Sequence, residues 1–173
     1  MKNTTALFFI LFIPYFLSSQ IVLLDEDFEE SSFPVDWTQQ TLSNDGGWLL
    51  GDNAELQSDY WSIAPHGNFI ATNDDGCDCD KSADYLIMPA FDLSTNEAIV
   101  LQFNAYYDGG TFEGATEIAT VEFSLDGGIS WEILEEITGA DNGAWTAHSV
   151  SLNPLLGESD VLVAFRYNDN GGW

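Results

Sequence analysis

Apolar and polar positions alternate with a period of two over several stretches of this chain. Ala119, Val121, Phe123 and Leu125 alternate with Ile118, Thr120, Glu122 and Ser124, giving the apolar and mainly polar rows that a strand places on opposite faces. Val161, Val163, Phe165 and Tyr167 alternate in the same way with Leu162, Ala164, Arg166 and Asn168, and Ile99, Leu101, Phe103, Ala105 and Tyr107 form a third inward row. Shorter strands are predicted over Val22–Phe28, Asn68–Thr72, Tyr85–Met88, Ile129–Ile137 and Trp145–Leu152. No stretch sustains a helical period. Turn clusters separate the strands: Asn44-Asp45-Gly46-Gly47, Asp108-Gly109-Gly110, Asp126-Gly127-Gly128 and Asp169-Asn170-Gly171-Gly172. Many short strands with half-polar faces predict an all-β fold, an antiparallel sandwich.

The amino terminus departs from this pattern. Lys2 precedes the apolar run Ala6–Leu17, and Ser18 and Ser19 follow it as small residues, the layout of a secretory signal peptide over residues 1–20. Pro14 interrupts the run, which is short for a membrane span. The expected mature chain, residues 21–173, is then one exported domain, large enough to bury a sandwich core unaided, with no membrane insertion.

Charge narrows the function further. The chain has 29 Asp and Glu against 3 Lys and Arg, and loss of Lys2 leaves Lys81 and Arg166 as the basic residues. Such a surface repels phosphate backbones and anionic lipid, so nucleic acid is excluded as a partner. Acidic excess alone reads as disorder, but 45% hydrophobic and 14% aromatic residues supply a core.

The acids are densest in Asn73-Asp74-Asp75-Gly76-Cys77-Asp78-Cys79-Asp80-Lys81-Ser82-Ala83-Asp84, with five aspartates in twelve residues. Lys81 alone is too little counter-charge for them by simple counting. Calcium takes six to eight hard oxygen ligands, which a flexible acidic loop can supply; the competing reading is a solvated loop whose aspartates cap turns. No bidentate Glu stands where a helix-loop-helix calcium loop needs one. Ligands from elsewhere, Asp25–Glu30 or Asn168–Asn170, would have to complete the set. Cys77 and Cys79 form a local disulfide, remain free thiols or, least in keeping with the ligand types nearby, contribute to a zinc site; the sequence leaves these open.

Ser124-Leu125-Asp126-Gly127-Gly128-Ile129-Ser130-Trp131 matches S-x-D-x-G-x-[ST]-W, the Asp-box. Its Asp bonds turn backbone and its glycines take positive φ, so a single copy marks a hairpin, not a sialidase. No residues are assigned as catalytic. No pattern singles out two carboxylates for glycoside hydrolysis, no Gly-x-Ser-x-Gly occurs, and His66 and His148 are isolated. Trp48, Tyr60 and Trp61, in a loop-rich segment, are the candidates to face a ligand.

Taken in order, Glu26-Asp27-Phe28-Glu29, Phe33-Pro34-x-x-Trp37, Gly47-Trp48, Asp84-Tyr85-Leu86-Ile87-Met88-Pro89, Phe91-Asp92-Leu93-Ser94, the Asp-box and Phe165-Arg166-Tyr167-Asn168-Asp169 resemble the choice-of-anchor J, or cleaved-adhesin, domain family of exported Bacteroidota proteins. The resemblance covers residues 25–173. It implies a MAM-like antiparallel jelly-roll β-sandwich whose C-terminal strand is missing from this chain, with further domains to follow and type IX secretion. It also implies structural calcium held by Glu29, Asp74, Asp75, Asp80 and Asp169. The expected function is a secreted, calcium-stabilised adhesion or recognition module, not an enzyme, that binds a glycan or surface protein. The alternatives are a structural accessory domain of a larger exported enzyme and a glycan-active hydrolase.

Overall fold

The two most regular alternations, residues 118–124 and 162–168, lie side by side in the structure. They form β8 (Ile118–Ser124) and β11 (Leu162–Asn168), antiparallel from Leu162 opposite Ser124 to Asn168 opposite Ile118. That register sets Val163 beside Phe123, Phe165 beside Val121 and Tyr167 beside Ala119, so both apolar rows share one face, as period-two patterning requires. The computed structural model describes residues 20–59, 61–74, 76, 77, 79–139 and 143–171. The expected signal peptide, apart from Gln20, lies outside them, as do Tyr60 and Asp75.

The remaining strands, in chain order, are β1 (Thr38–Gln40), β2 (Leu49–Gly51), β3 (Phe69–Ala71), β4 (Asp84–Ile87), β5 (Val100–Ala105), β6 (Thr111–Phe112), β7 (Ala115–Thr116), β9 (Glu132–Ile137) and β10 (Thr146–Ser151). A single helical turn, α1 (Asn53–Leu56), starts at Asp52, whose carboxylate accepts the amides of Ala54 and Glu55. One sheet has the order β1-β4-β11-β8-β9, and β10 and β5 form a second, antiparallel pair; β2–β3 and β6–β7 are short two-stranded ribbons. The fold is the expected all-β antiparallel sandwich.

The core lies between the five-stranded sheet and the β5–β10 pair. Leu86, Met88, Leu93, Val121, Val150, Val161 and Val163 are buried there, with Leu101, Phe103 and Ala105 packed against them from the facing pair. Phe103 meets Phe165 across the layers at 4.7 Å between ring centres. Each such aliphatic side chain contributes about 1.5–3 kcal/mol through removal from water. On the outer face, Trp131 stacks on Tyr85 at 5.0 Å and the Arg166 guanidinium lies 5.3 Å from the Tyr85 ring centre.

One predicted strand does not form. Residues 22–28 are described but make no ladder with a neighbour. Phe28 sits at φ +58°, and its amide donates to the Glu26 carboxylate at 2.8 Å, so a local turn replaces the inter-strand bonds that extended backbone needs. The apolar positions keep their destination: Leu24 and Phe28 pack on the core, Phe28 edge-on to Trp37 at 5.2 Å.

Candidate functional site

The acidic loop that leads into β4 folds around a cation of its own. Lys81 is completely buried. Its Nζ lies 2.7 Å from Asp45 Oδ2 and 3.1 Å from Asp84 Oδ2, and also donates to Ser43 Oγ at 3.4 Å and to the Gly47 carbonyl at 3.5 Å. Asp84, itself fully buried, accepts from the hydroxyls of Thr41 and Thr72. Burial pushes the Asp45 carboxyl up, but hydrogen bonds from Lys81, Ser43 and the Gly47 amide outweigh it and hold the group below its ordinary value. The Lys81 amide donates to Asp169 Oδ2 at 3.3 Å, and the Trp48 indole donates to the Asp84 carbonyl at 3.2 Å. Lys81 thus ties three segments together: its ammonium joins the β1–β2 turn to the first residue of β4, and its backbone amide holds Asp169 just past the end of β11. The ammonium is worth more in this dry setting than a count of charges in water suggests, because attraction grows as the dielectric falls.

Of the five residues expected to hold calcium, Glu29, Asp74, Asp80 and Asp169 are among the described residues, each with partners of its own. Asp80 is exposed and caps Ser82, accepting its amide at 2.9 Å and its hydroxyl at 2.5 Å; those bonds lower its pKa. Glu29 reaches the start of β3, where its carboxylate accepts the Asn68 amide at 3.0 Å. Asp169 is buried and accepts from Lys81 and from the Gly171 amide. Asp74 is buried beside Tyr167, whose hydroxyl pKa is raised by burial and then by the Asp74, Glu117 and Asp169 carboxylates. Among the described residues no three carboxylates bring oxygens within 4.8 Å of one another; the one three-residue group that meets this test is Asp45 with Cys77 and Cys79, and those two sulfurs are joined in a disulfide with Cα atoms 5.2 Å apart. The described acids do not fit a calcium shell by themselves, since hard cations need six or more converging oxygens. A calcium ion here is a proposal that requires Asp75 and Asp78, both outside the described residues.

A second feature opens beside this centre. A pocket of about 200 Å³ lies between the layers, lined by Trp48, Trp61, Phe69, Tyr106, Trp145 and the inner ends of β8 and β11. Trp48 and Trp61, two of the residues expected to face a ligand, are therefore brought together, Trp48 from the core side. Sequence analysis missed Tyr106 and named Trp145 only as the start of a predicted strand. Trp61, Tyr106 and Trp145 form a row of rings, 6.1 Å from Trp61 to Tyr106 and 5.9 Å from Tyr106 to Trp145, and His66 and Phe69 flank Trp145. Two of the three rings have their polar atoms engaged with the chain itself. The Tyr106 hydroxyl donates to the Ser62 carbonyl at 2.7 Å and the Trp145 indole to the Ala64 carbonyl at 3.0 Å. Those two bonds pin the 61–66 segment across the mouth of the sandwich. No signal in the local pattern marks Tyr106, which falls just past the end of β5 and out of step with the inward row of residues 99–107.

The pocket is electronegative. Asp74, Asp108 and Glu117 line it. Burial and then the Asp108 charge raise the Tyr106 pKa; burial and then Glu117 and Glu136 push Tyr107 up to about 12. Arg166 also borders the pocket, but its guanidinium is held by Glu122 at 3.2 Å and by the Ser82 carbonyl at 2.7 Å.

The fold is shared with a solved structure. The K1 cleaved adhesin domain of Lys-gingipain from Porphyromonas gingivalis W83 superposes with a TM-score of 0.52 at 19% identity, over 83% of this chain and 87% of that one. The chain therefore has a cleaved-adhesin-like β-sandwich fold. No family model matches the sequence, and no curated protein does. Among the described residues no helix is long and apolar enough to cross a membrane.

Proposed function

We propose that this chain is an exported adhesion or recognition module of the cleaved-adhesin type, without catalytic activity, that captures a glycan or protein on a cell or matrix surface. The observation that carries this reading is the aromatic-walled pocket at the mouth of the sandwich. Partly exposed ring faces, with Tyr106 and Trp145 held in place by their own hydrogen bonds, give contact area at little entropic cost. The adhesin domain with the same fold supports it. Neither site shows a nucleophile paired with a base among the described residues: the buried carboxylates are bonded to Lys81, to hydroxyls and to backbone amides, His66 packs at a tilt against Trp145 and His148 stacks on Phe103.

The experiment is a binding screen of the full chain against immobilised glycans and matrix proteins, beside the Trp61→Ala and Trp145→Ala variants. Specific capture that both substitutions weaken supports the pocket as the recognition site. Capture that neither substitution changes moves recognition elsewhere, and no capture on any surface leaves a structural accessory role.

A further inference from the structure

Deepening the reading just given, and resting on it, we infer that the group this pocket accepts is the cationic side chain of a lysine or arginine presented by a basic polypeptide. Three observations converge on that chemistry. The first is size. At about 200 Å³ the cavity falls below the 300–1,000 Å³ typical of drug-sized ligands, so it takes one side chain or one sugar ring and leaves no groove for an oligosaccharide.

The second is the kind of surface presented. Trp61, Tyr106 and Trp145 offer ring faces, while the Tyr106 hydroxyl and Trp145 indole N–H are spent on the Ser62 and Ala64 carbonyls. A sugar ring needs donors and acceptors arrayed around its hydroxyls, and two of the three rings in this row have already spent theirs. An ammonium or guanidinium needs the negative face of a ring, which is what remains.

The third is charge. The acidic side chains along the pocket are Asp74, Asp108 and Glu117, and Arg166 is paired with Glu122. Around them stands a chain of formal net charge −26, which steers a basic partner toward the surface and repels an acidic one. Steering alone is unspecific. The ring row beside the carboxylates converts it into a site, because an alkyl stem can lie along the apolar wall while its charged head meets Asp108 and the Tyr106 face.

The test uses a glycine–lysine repeat peptide and its Nε-acetylated twin, titrated into the full chain and followed by tryptophan fluorescence and calorimetry. The lysine peptide is expected to bind, and acetylation to weaken it at least about tenfold, since it removes the charge while keeping the stem. Tyr106→Leu is expected to weaken binding by about five- to tenfold and Tyr106→Phe to leave it within about twofold, as a ring-face contact requires. Glu135→Gln, on exposed β9 away from the pocket, is the control for general attraction to an acidic surface and is expected to change little. Equal binding of the two peptides, or equal losses in Tyr106→Leu and Glu135→Gln, overturns the inference. So does equal loss in Tyr106→Leu and Tyr106→Phe. A glycan bound in the screen, released by Tyr106→Leu and unaffected by the peptide, overturns the cationic ligand but keeps the recognition module; silence toward both classes overturns both.

Discussion

The Asp126 hairpin and the Lys81 centre are both acidic turns rich in serine and glycine, yet they are held in opposite ways. Asp126 finds every partner within four residues. Its carboxylate accepts from the Ser124 hydroxyl at 2.7 Å, the Ile129 and Ser130 amides at 3.1 and 2.9 Å, and the Ser130 hydroxyl at 2.6 Å, while Gly127 and Gly128 take φ of +75° and +87°. The turn stands in solvent and organises itself. Lys81 instead draws Asp45 from 36 residues upstream and Asp169 from 88 downstream, and it exists as a bonded centre only when β1, β4 and β11 are assembled. Local turn chemistry can be read from spacing. A buried ion cannot, because its partners are chosen by the fold and its energy by the dielectric.

Removing the buried ammonium should break the second kind of turn outright. Lys81→Met leaves Asp84 buried with its cationic partner gone, and should cost about 3–5 kcal/mol in urea unfolding; a second change, Asp84→Asn, should return part of that loss because the two sites are coupled. A cost below about 1 kcal/mol would show that Lys81 is a passenger. Next in size, alkaline stability should reflect Tyr107. Its pKa is raised above the ordinary 10.0 to about 12, so the contribution is complete below pH 10 and lost as pH rises through 12. Tyr107→Phe should remove that alkaline loss and the late tyrosinate absorbance that accompanies it.

The hairpin should respond more mildly and at the other end of the scale. Hydrogen bonds from the Ser130 hydroxyl and amide, then from Ser124, lower the Asp126 pKa from 3.8 to about 2. Its contribution is therefore present above pH 3.8 and lost as pH falls through 2. Asp126→Asn should lower the thermal midpoint by a few degrees at neutral pH, less than Lys81→Met, and flatten the wild-type decline between those two pH values. The smallest effect belongs to calcium. With Lys81 as counter-charge, melting in calcium and in chelator should give the same midpoint. A rise of several degrees with calcium would bring Asp75 and Asp78 into a shared oxygen shell and make the Lys81 centre part of a metal site.

Much of the architecture was legible because strand patterning is local. The rows at 99–107, 119–123 and 161–167 landed on the inner face, with Leu125 left exposed beyond the end of β8, and β3, β4, β9 and β10 fell within a few residues of their expected positions. The failure at 22–28 has a clear cause: a strand needs a neighbour, and Phe28 found a turn with Glu26 instead. The site was less legible. Loop position singled out Trp48 and Trp61, which line one pocket, but Tyr106 joined them only because the end of β5 meets the 61–66 segment across the sandwich mouth. Of the acids expected to meet a metal, Glu29 bonds the start of β3, Asp80 caps Ser82 and Asp169 accepts from Lys81, while Asp75 lies outside the described residues.

By itself the sequence determined the β-rich class, the inward rows, the Asp-box hairpin and the strongly acidic surface, since each depends on period, turn chemistry or charge within a few residues. The tertiary structure decided the rest: that Lys81 sits buried between Asp45 and Asp84, that Cys77 and Cys79 close on each other beside Asp45, and that three rings align over a cavity flanked by carboxylates. Those arrangements join segments tens of residues apart, and their strength comes from exclusion of water, a property that no stretch of chain has until the layers close over it.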